Sequence, residues 1–185
     1  MGSLLYVPLC SLDGYVADPA GDHDWAEPSP DVFAFLNELQ ERIGTEIYGR
    51  RTYEVMEVWE TDPSLAASGE HERAFADWWQ RVEKVVFSTT LTAAPTQRTR
   101  LEPRFDADLV RRLKEESTAD LSIFGPTIAG AAFEAGLVDE VHMVVSPGTL
   151  GGGLRALPPM ALRLELLEDR RFTDGSVYLR YAVER

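Results

Sequence analysis

Ile47-Tyr48-Gly49-Arg50-Arg51-Thr52-Tyr53-Glu54-Val55-Met56 is the stretch whose reading decides the fold. A short apolar run reaches a glycine, and two arginines and a threonine then open an amphipathic segment. This is the pattern of a strand that ends at a helix N-terminus, where unpaired N–H groups and the helix dipole favour an anion. Arg50 and Arg51 add formal charge, and a guanidinium fork matches phosphate oxygens. Local physics is equally satisfied by a plain strand-to-helix turn with solvated arginines.

The same strand-then-turn unit recurs on both sides of this stretch. Lys84-Val85-Val86-Phe87-Ser88 reads as a buried strand of the parallel-sheet type, with Thr89 and Thr90 at its end. Leu121-Ser122-Ile123-Phe124 is another, ending at Gly125-Pro126-Thr127 and passing into a helix to Ala135, with Gly136 beyond it. Upstream, Leu4–Cys10 reads as a strand, although Pro8 is costly in a central ladder. The Ser11–Trp25 stretch is loop-like, rich in Gly, Pro and Asp, yet carries Leu12, Tyr15, Val16 and Trp25, the composition of a functional loop such as a lid, or equally of a surface loop pinned by its aromatics. Ser29-Pro30-Asp31 starts a helix, with Ser29 as N-cap, Pro30 at the first helical position and apolar spacing through Val32, Phe33, Phe35, Leu36, Leu39 and Ile43. Asp31 in that first turn complements the helix dipole, which is a sufficient structural reason for a carboxylate there.

Further strands are expected at Thr45–Gly49, Arg98–Leu101 and Glu140–Val145, and helices at Arg51–Trp59, Glu70–Arg81 and from Asp106 to about Ser117. Thr61–Gly69 reads as an exposed link. Arg163–Arg171 and Ser176–Val183 alternate as a hairpin around Thr173-Asp174-Gly175. Strand–helix alternation with a closing hairpin gives one α/β domain over residues 1–185, three layers thick, with a mostly parallel sheet. Ligands of such sheets gather beyond the C-terminal strand ends. The arginine turn, Ser88-Thr89 and Gly125-Pro126-Thr127 all fall there, which suggests an extended, phosphate-bearing ligand.

Composition narrows the function classes. The chain has 185 residues, 44% hydrophobic, with a formal net charge of −13 and a pI near 4.6. That balance argues against a general nucleic-acid or acidic-membrane binder, but a small anion responds to local arginines more than to the distant total. The single cysteine, Cys10, rules out an internal disulfide and a multi-cysteine zinc site. His23, His71 and His142 have no metal-ligand spacing, so no metal is expected. Leu4–Cys10 is too short for a signal-peptide core and no run approaches membrane-spanning length, so a cytoplasmic protein is expected. The GxGxxG, GxxxxGK[ST] and GxSxG signatures are absent. Gly151-Gly152-Gly153 leads into Leu154-Arg155 rather than a helix, so it reads as a flexible loop that lines a pocket.

In their order, these motifs resemble the dihydrofolate reductase superfamily, and within it the branch of RibD C-terminal reductase domains of riboflavin biosynthesis. The matching pieces are Ser11-Leu12-Asp13-Gly14-Tyr15-Val16-Ala17, Tyr48-Gly49-Arg50-Arg51-Thr52-Tyr53-Glu54, Val85–Ser88, Ile123-Phe124-Gly125, Gly136–Glu140 and Leu150–Gly153. The resemblance implies NADPH as hydride donor and a dihydrofolate reductase-like fold. It implies that Gly49, Arg50, Arg51 and Thr52 hold the adenosine side and phosphates, with Ser88 and Thr89 flanking the 2′-phosphate. Gly125, Thr127, Ile128 and Ala129 would meet the pyrophosphate, and Val16 and Ala17 would lie against nicotinamide within a mobile loop. Asp31 matches the helix aspartate that folate reductases use to bind and polarise a pteridine. Phe35, Met56 and Trp59 would be pocket walls, although all three also suit the core.

Two departures stand out. The family's frequent double glycine at the cofactor turn is Gly125-Pro126 here, where an X–Pro bond admits either isomer. The zinc-deaminase motifs HxE and PCxxC are absent from these 185 residues, so the expectation is a stand-alone reductase. Its acceptor is a small heterocycle or a carbonyl or imine compound, and family likeness implies a homodimer. A folate reductase, and a nucleotide-binding protein without turnover, are the alternative readings.

Overall fold

The computed structural model describes residues 1–23, 25 and 27–184. Asp24, within the stretch read as a loop, lies outside the described residues, as do Ala26 and Arg185. In chain order the elements begin β1 (Leu4–Tyr6), β2 (Leu9–Ser11), β3 (Tyr15–Ala17), α1 (Pro30–Gln40), β4 (Ile43–Gly49), α2 (Arg50–Met56), α3 (Val58–Thr61), α4 (Pro63–Ala67) and α5 (Glu70–Arg81). They continue β5 (Glu83–Phe87), β6 (Thr99–Glu102), α6 (Ala107–Glu116), β7 (Asp120–Phe124), α7 (Pro126–Glu134), β8 (Glu140–Ser146), β9 (Leu154–Arg155), β10 (Leu164–Arg171) and β11 (Val177–Val183). The main sheet runs β10-β11-β8-β1-β7-β4-β5-β6, with β2 extending the β1 side of β8. From β8 to β6 all pairs are parallel, and the β10–β11 hairpin closes the sheet antiparallel on β8.

Strand alternation builds two cores. Leu4, Tyr6, Ile47, Val85, Phe87, Leu121 and Ile123 face α6 and α7, whose Leu109, Val110, Ile128, Ala132 and Phe133 cover them. Leu5, Tyr48 and Val86 point to the opposite face and meet Tyr53, Phe75, Trp78 and Trp79 of α2 and α5. Helix α1 bridges that second core to a smaller one, in which Val32 and Phe35 pack on Val144, Phe172 and Tyr178. The expected three-layer α/β/α domain is therefore what forms.

Local departures from the expected elements have local causes. The first strand divides at Pro8, which accepts from Val144 N–H through its carbonyl at 3.0 Å but has no N–H to give back. Ser29 occupies the N-cap position without a side-chain cap, because its Oγ donates to Asp31 Oδ1 at 2.6 Å instead. Helix α1 stops at Gln40, so Ile43, which continues the helical spacing, opens β4. The Arg51–Trp59 helix is divided into α2 and α3 at Glu57. Thr61–Gly69 is not merely a link, since Asp62 accepts from Ser64 N–H at 2.9 Å and caps α4, with Pro63 at its first position. By contrast, Asp106 caps α6 as expected, accepting from Asp108 and Leu109 N–H groups.

The α5-side core contains a buried carboxyl. Glu46 is 1% exposed and pairs across the sheet with Lys84 on β5 and Ser122 on β7. Ser122 Oγ donates to Glu46 Oε1 at 2.8 Å, while Lys84 Nζ donates to Trp79 and Val82 carbonyls at 2.8 and 3.1 Å. Burial pushes the Glu46 carboxyl up to about 8 against the smaller opposing pull of Ser122 and Lys84, so the native state holds a proton there that the unfolded chain releases. The resulting stability is full below about pH 4.5 and is lost as pH rises to about 8, with a slope of about 1.4 kcal/mol per pH unit for one proton. Glu46→Gln should remove this decline, so urea midpoints of variant and wild type measured from pH 5 to 8.5 should diverge progressively in the variant's favour. Parallel curves would show that Glu46 is ionised in the fold.

Candidate functional site

Strands β7, β4 and β5 are adjacent and parallel, and their ends are level: Tyr48 pairs with Phe124 and Gly49 with Phe87. The three turns read from sequence thus lie side by side on one sheet edge. The chain packs them tightly. Gly125 has φ +99°, and a β-carbon there would stand 2.4 Å from Thr52 Oγ1 on α2. One at Gly49 would stand 3.8 Å from Ile128 Cβ on α7. The starts of α2 and α7 are therefore in contact.

At α7 the Gly125–Pro126 bond is trans, and Gly125 carbonyl accepts the first helical bond from Ala129 N–H at 3.0 Å. This corrects the expected role of Ala129: as the fourth helical residue it lies beyond the open donors, and it is fully buried. Thr127, exposed, and Ile128 precede that bond and keep the helix-start N–H positions. On α2, Arg50 Nη1 meets both oxygens of Glu54 at 2.9 Å, whereas Arg51 is exposed. At the end of β5, Ser88 Oγ accepts from Thr90 and Leu91 N–H at 3.1 and 2.9 Å and meets Thr90 Oγ1 at 3.4 Å, where either hydroxyl can donate. Thr89 beside it is exposed.

Val16 and Ala17 lie on β3, which pairs antiparallel with β9. Trp25 Nε1 donates to Val16 carbonyl at 3.2 Å. Gly153, with φ +123°, passes so close that a β-carbon would fall 2.0 Å from Ala17 carbonyl oxygen, so only glycine fits. The loop expected to be a free lid is thus bound to the glycine-rich loop.

Asp31 sits at the same sheet edge, toward the hairpin. Its Oδ2 accepts from Thr173 N–H and Oγ1 at 2.9 and 2.8 Å, and its Oδ1 from Ser29 Oγ at 2.6 Å. These donors, Ser29 foremost, hold the carboxyl well below the usual range and keep it ionised. Phe35 is placed apart from Met56 and Trp59. Its ring packs on Tyr178 and Phe172 at 4.5 and 5.4 Å, with Arg170 stacked over it at 4.9 Å. Trp59 packs on Phe75 at 4.6 Å and on Phe33 at 6.3 Å, and Met56 joins the same cluster. A recess of about 350 Å³ opens between the N-termini of α1 and α5, lined by Ser29, Phe33, His71, Glu27 and Glu72.

The sequence reading missed Asp13, Thr173 and Gly153 as individuals. Asp13 and Gly153 lay inside quoted motifs, but their partners are more than a hundred residues away. No group of His, Cys, Asp and Glu side chains able to hold a metal occurs among the described residues, and no helix among them is long and apolar enough to cross a membrane.

Fold and edge geometry define a three-layer α/β domain of the dihydrofolate reductase-like fold. The sequence profile of the RibD C-terminal domain matches residues 4–178, and the chain belongs to that family. No significant match is found among curated proteins. Among solved structures, it resembles a protein described as a riboflavin biosynthesis protein from Shewanella sp. PV-4, with 23% identity, 99% of each chain covered and a TM-score of 0.73. A pyrimidine reductase-like protein from Corynebacterium diphtheriae superposes with a TM-score of 0.63 at 15% identity, over 100% of this chain and 92% of that one. The diaminohydroxyphosphoribosylaminopyrimidine deaminase/5-amino-6-(5-phosphoribosylamino)uracil reductase of Thermotoga maritima gives 0.65 at 16% identity, over 99% of this chain but 57% of its own.

The Gly125–Thr52 contact can be tested directly. Gly125→Ala should cost about 2 kcal/mol or more, from the left-handed φ and the overpacking together. Adding Thr52→Ala should recover the steric part and leave the backbone part, as a double-mutant cycle by chemical denaturation would measure.

Proposed function

We propose that the chain is an NADPH-dependent reductase that transfers hydride to a small heterocyclic or carbonyl or imine acceptor. It would resemble 5-amino-6-(5-phosphoribosylamino)uracil reductase in reaction type. The observation that carries this reading is the level alignment of three βα turns, with Gly125 closed onto Thr52. A phosphate-bearing ligand laid along that edge meets backbone donors at one turn and hydroxyls or guanidinium groups at the other two.

The residues fit NADPH. With Gly125 closed onto Thr52, the backbone at the start of α7 would meet the pyrophosphate through the N–H groups of Thr127 and Ile128, which precede the first helical bond. Ser88 and Thr89 would flank a 2′-phosphate with Arg50 or Arg51, and Gly49 and Thr52 would lie along the adenosine side. Arg50 would exchange its exposed Glu54 pair, a weak one in water, for the more highly charged phosphate. When bound, NADPH supplies the hydride, and the protein's part is to orient donor and acceptor and to exclude water. Val16 and Ala17 would shield the nicotinamide. Asp31, ionised at neutral pH, is a poor proton relay; Thr173 N–H and Oγ1, Ser29 Oγ and Val32 N–H already occupy its acceptor sites, so the N–H groups of an amino-substituted ring would have to displace one of these donors. Met56 and Trp59 would bound the acceptor on the α2–α3 side, while Phe35 supports Asp31's helix from beneath.

Calorimetric titration with NADPH, NADP and NADH tests this reading. NADPH should bind in the micromolar range and NADH much more weakly. Arg50→Ala combined with Arg51→Ala should weaken NADPH by about tenfold or more and NADH by little, the weight of a charge-assisted contact. Equal losses for both would remove the 2′-phosphate assignment, and absence of binding by the wild type would remove the reductase reading.

We also propose that two copies pair through the hairpin. Strand β10 is an outer edge that exposes Leu166 at 52% and Leu167 at 44%, next to an apolar recess of about 490 Å³ lined by Leu157, Met160, Leu162 and Leu164. An edge strand with exposed leucines is a template for association. Light scattering should report a dimer for the wild type and a monomer for Leu166→Glu with Leu167→Glu. A wild-type monomer would end this proposal.

A further inference from the structure

Asp13 stands at the centre of a set of contacts that join two distant segments. Its Oδ2 accepts from Gly151 N–H at 2.7 Å, and its Oδ1 from Leu150 N–H at 3.0 Å and Ser11 Oγ at 2.6 Å. Around it, Leu12 N–H donates to Gly148 carbonyl at 2.7 Å and Ala156 N–H to Gly14 carbonyl at 2.9 Å. Tyr15 pairs with Arg155 and Ala17 with Leu154, and the Arg155 guanidinium stacks on the Tyr15 ring at 5.3 Å. Between their ends, these two segments chiefly hold each other.

Those ends are fixed to the core. Ser11, 1% exposed, belongs to β2 and pairs with Ser146, and its Oγ also accepts from Tyr15 N–H at 3.0 Å. Ala156 is held from below by Tyr6 Oη, which donates to its carbonyl at 2.6 Å from a buried position. Just beyond, Pro158 lies against Gly130 of α7, the helix whose start forms the proposed pyrophosphate cradle. The strap is anchored at Ser11 and Ala156, and its body rests on strand pairing that is two or three residues long. So short a ladder is marginal alone. The Asp13 carboxylate adds two charge-assisted bonds to consecutive N–H groups, roughly twice as strong each as a neutral bond.

We propose that Asp13 is a positioning residue, a latch that joins segments 12–17 and 148–155 into one body. That body, rather than the first loop alone, closes over the nicotinamide half of the cofactor. The inference rests on the NADPH reading above. It separates a phosphate half of the site, built on helix starts, from a nicotinamide half whose shape depends on the latch. Asp13 does not contact the ligand, because its oxygens face Ser11, Leu150 and Gly151. Its carboxyl is held below the usual range by the same donors, so the latch stays ionised at neutral pH.

The test uses Asp13→Ala, Asp13→Asn and Asp13→Glu in the intact protein. Asparagine places a donor where two N–H groups need acceptors and should behave like alanine, whereas glutamate keeps both acceptor oxygens and should rescue in part. In the free protein, amide hydrogen exchange of Tyr15–Ala17 and of Leu150–Leu154 should rise together in the alanine and asparagine variants. NADPH should bind these variants at least about fivefold more weakly, while adenosine 2′,5′-bisphosphate, which lacks nicotinamide, should bind within about twofold of wild type. Exchange that rises in one segment only, or not at all, would overturn the latch. Equal weakening of both ligands would reduce Asp13 to a general structural role and overturn the positioning assignment. A wild type that binds neither ligand would remove the NADPH reading, and the exchange result would still decide the latch.

Discussion

Gly125 lies where a β-carbon would collide with Thr52, and this close approach is the constraint on which the candidate site depends. It lets the start of α7 press against the start of α2 across the β7–β4 boundary. Parallel register does the rest. Because Gly49 pairs with Phe87 and Tyr48 with Phe124, the third turn stands level with the first two. A larger residue at 125 would separate the two helices and break one continuous edge into independent turns. Proline at 126 suits this arrangement, since it gives up a donor that a helix start leaves unpaired and fixes φ for the first helical residue. The departure from a double glycine therefore keeps the cradle.

The two faces of the sheet solve burial differently. Against α6 and α7 the sheet presents a continuous apolar surface. Toward α1 and α5 it places Glu46, Lys84, Ser122 and His142 among the apolar side chains, all nearly inaccessible. Each has partners. Burial keeps His142 neutral, Nε2–H donates to the Glu140 carboxylate at 2.9 Å, and Nδ1 must then accept from Tyr178 Oη at 2.8 Å. A one-residue slip of β4 would turn Glu46, and one of β8 His142, onto the apolar face without partners, so they specify register as well as filling space.

Elements whose order rests on neighbours in sequence were legible. The three βα turns, α5, the α6 cap and the closing hairpin follow from spacing, caps and turn residues within a dozen positions. Ile43 misled because a helical period continues through it, and periodicity does not say where a helix stops; the break after Gln40 is set by the need to enter β4. Segment 61–69 misled because Asp62-Pro63-Ser64, an N-cap followed by proline, was read as punctuation between elements rather than the start of one. Ala129 misled by one turn position, since its residue type carries no sign of whether the N–H is the last open donor or the first one bonded. The fixed contacts of the lid were hidden by distance. Asp13 and Gly151 are 138 residues apart, Tyr6 and Ala156 150, and Asp31 and Thr173 142, and no local pattern encodes such pairs.

That division has a consequence for chemistry. The contact between the starts of α2 and α7 rests on backbone: helix-start positions, a glycine with no β-carbon, and level strand ends. The hairpin side of the edge is assembled from long-range side-chain ties, with Asp31 bound to the hairpin turn, Asp13 to the glycine-rich loop and Phe35 committed to the core beneath. These ties lie apart from the contact between Gly125 and Thr52. For that reason the family could be read from short motifs in this chain, whereas the ties around Asp31 and Asp13 exist only in the folded molecule.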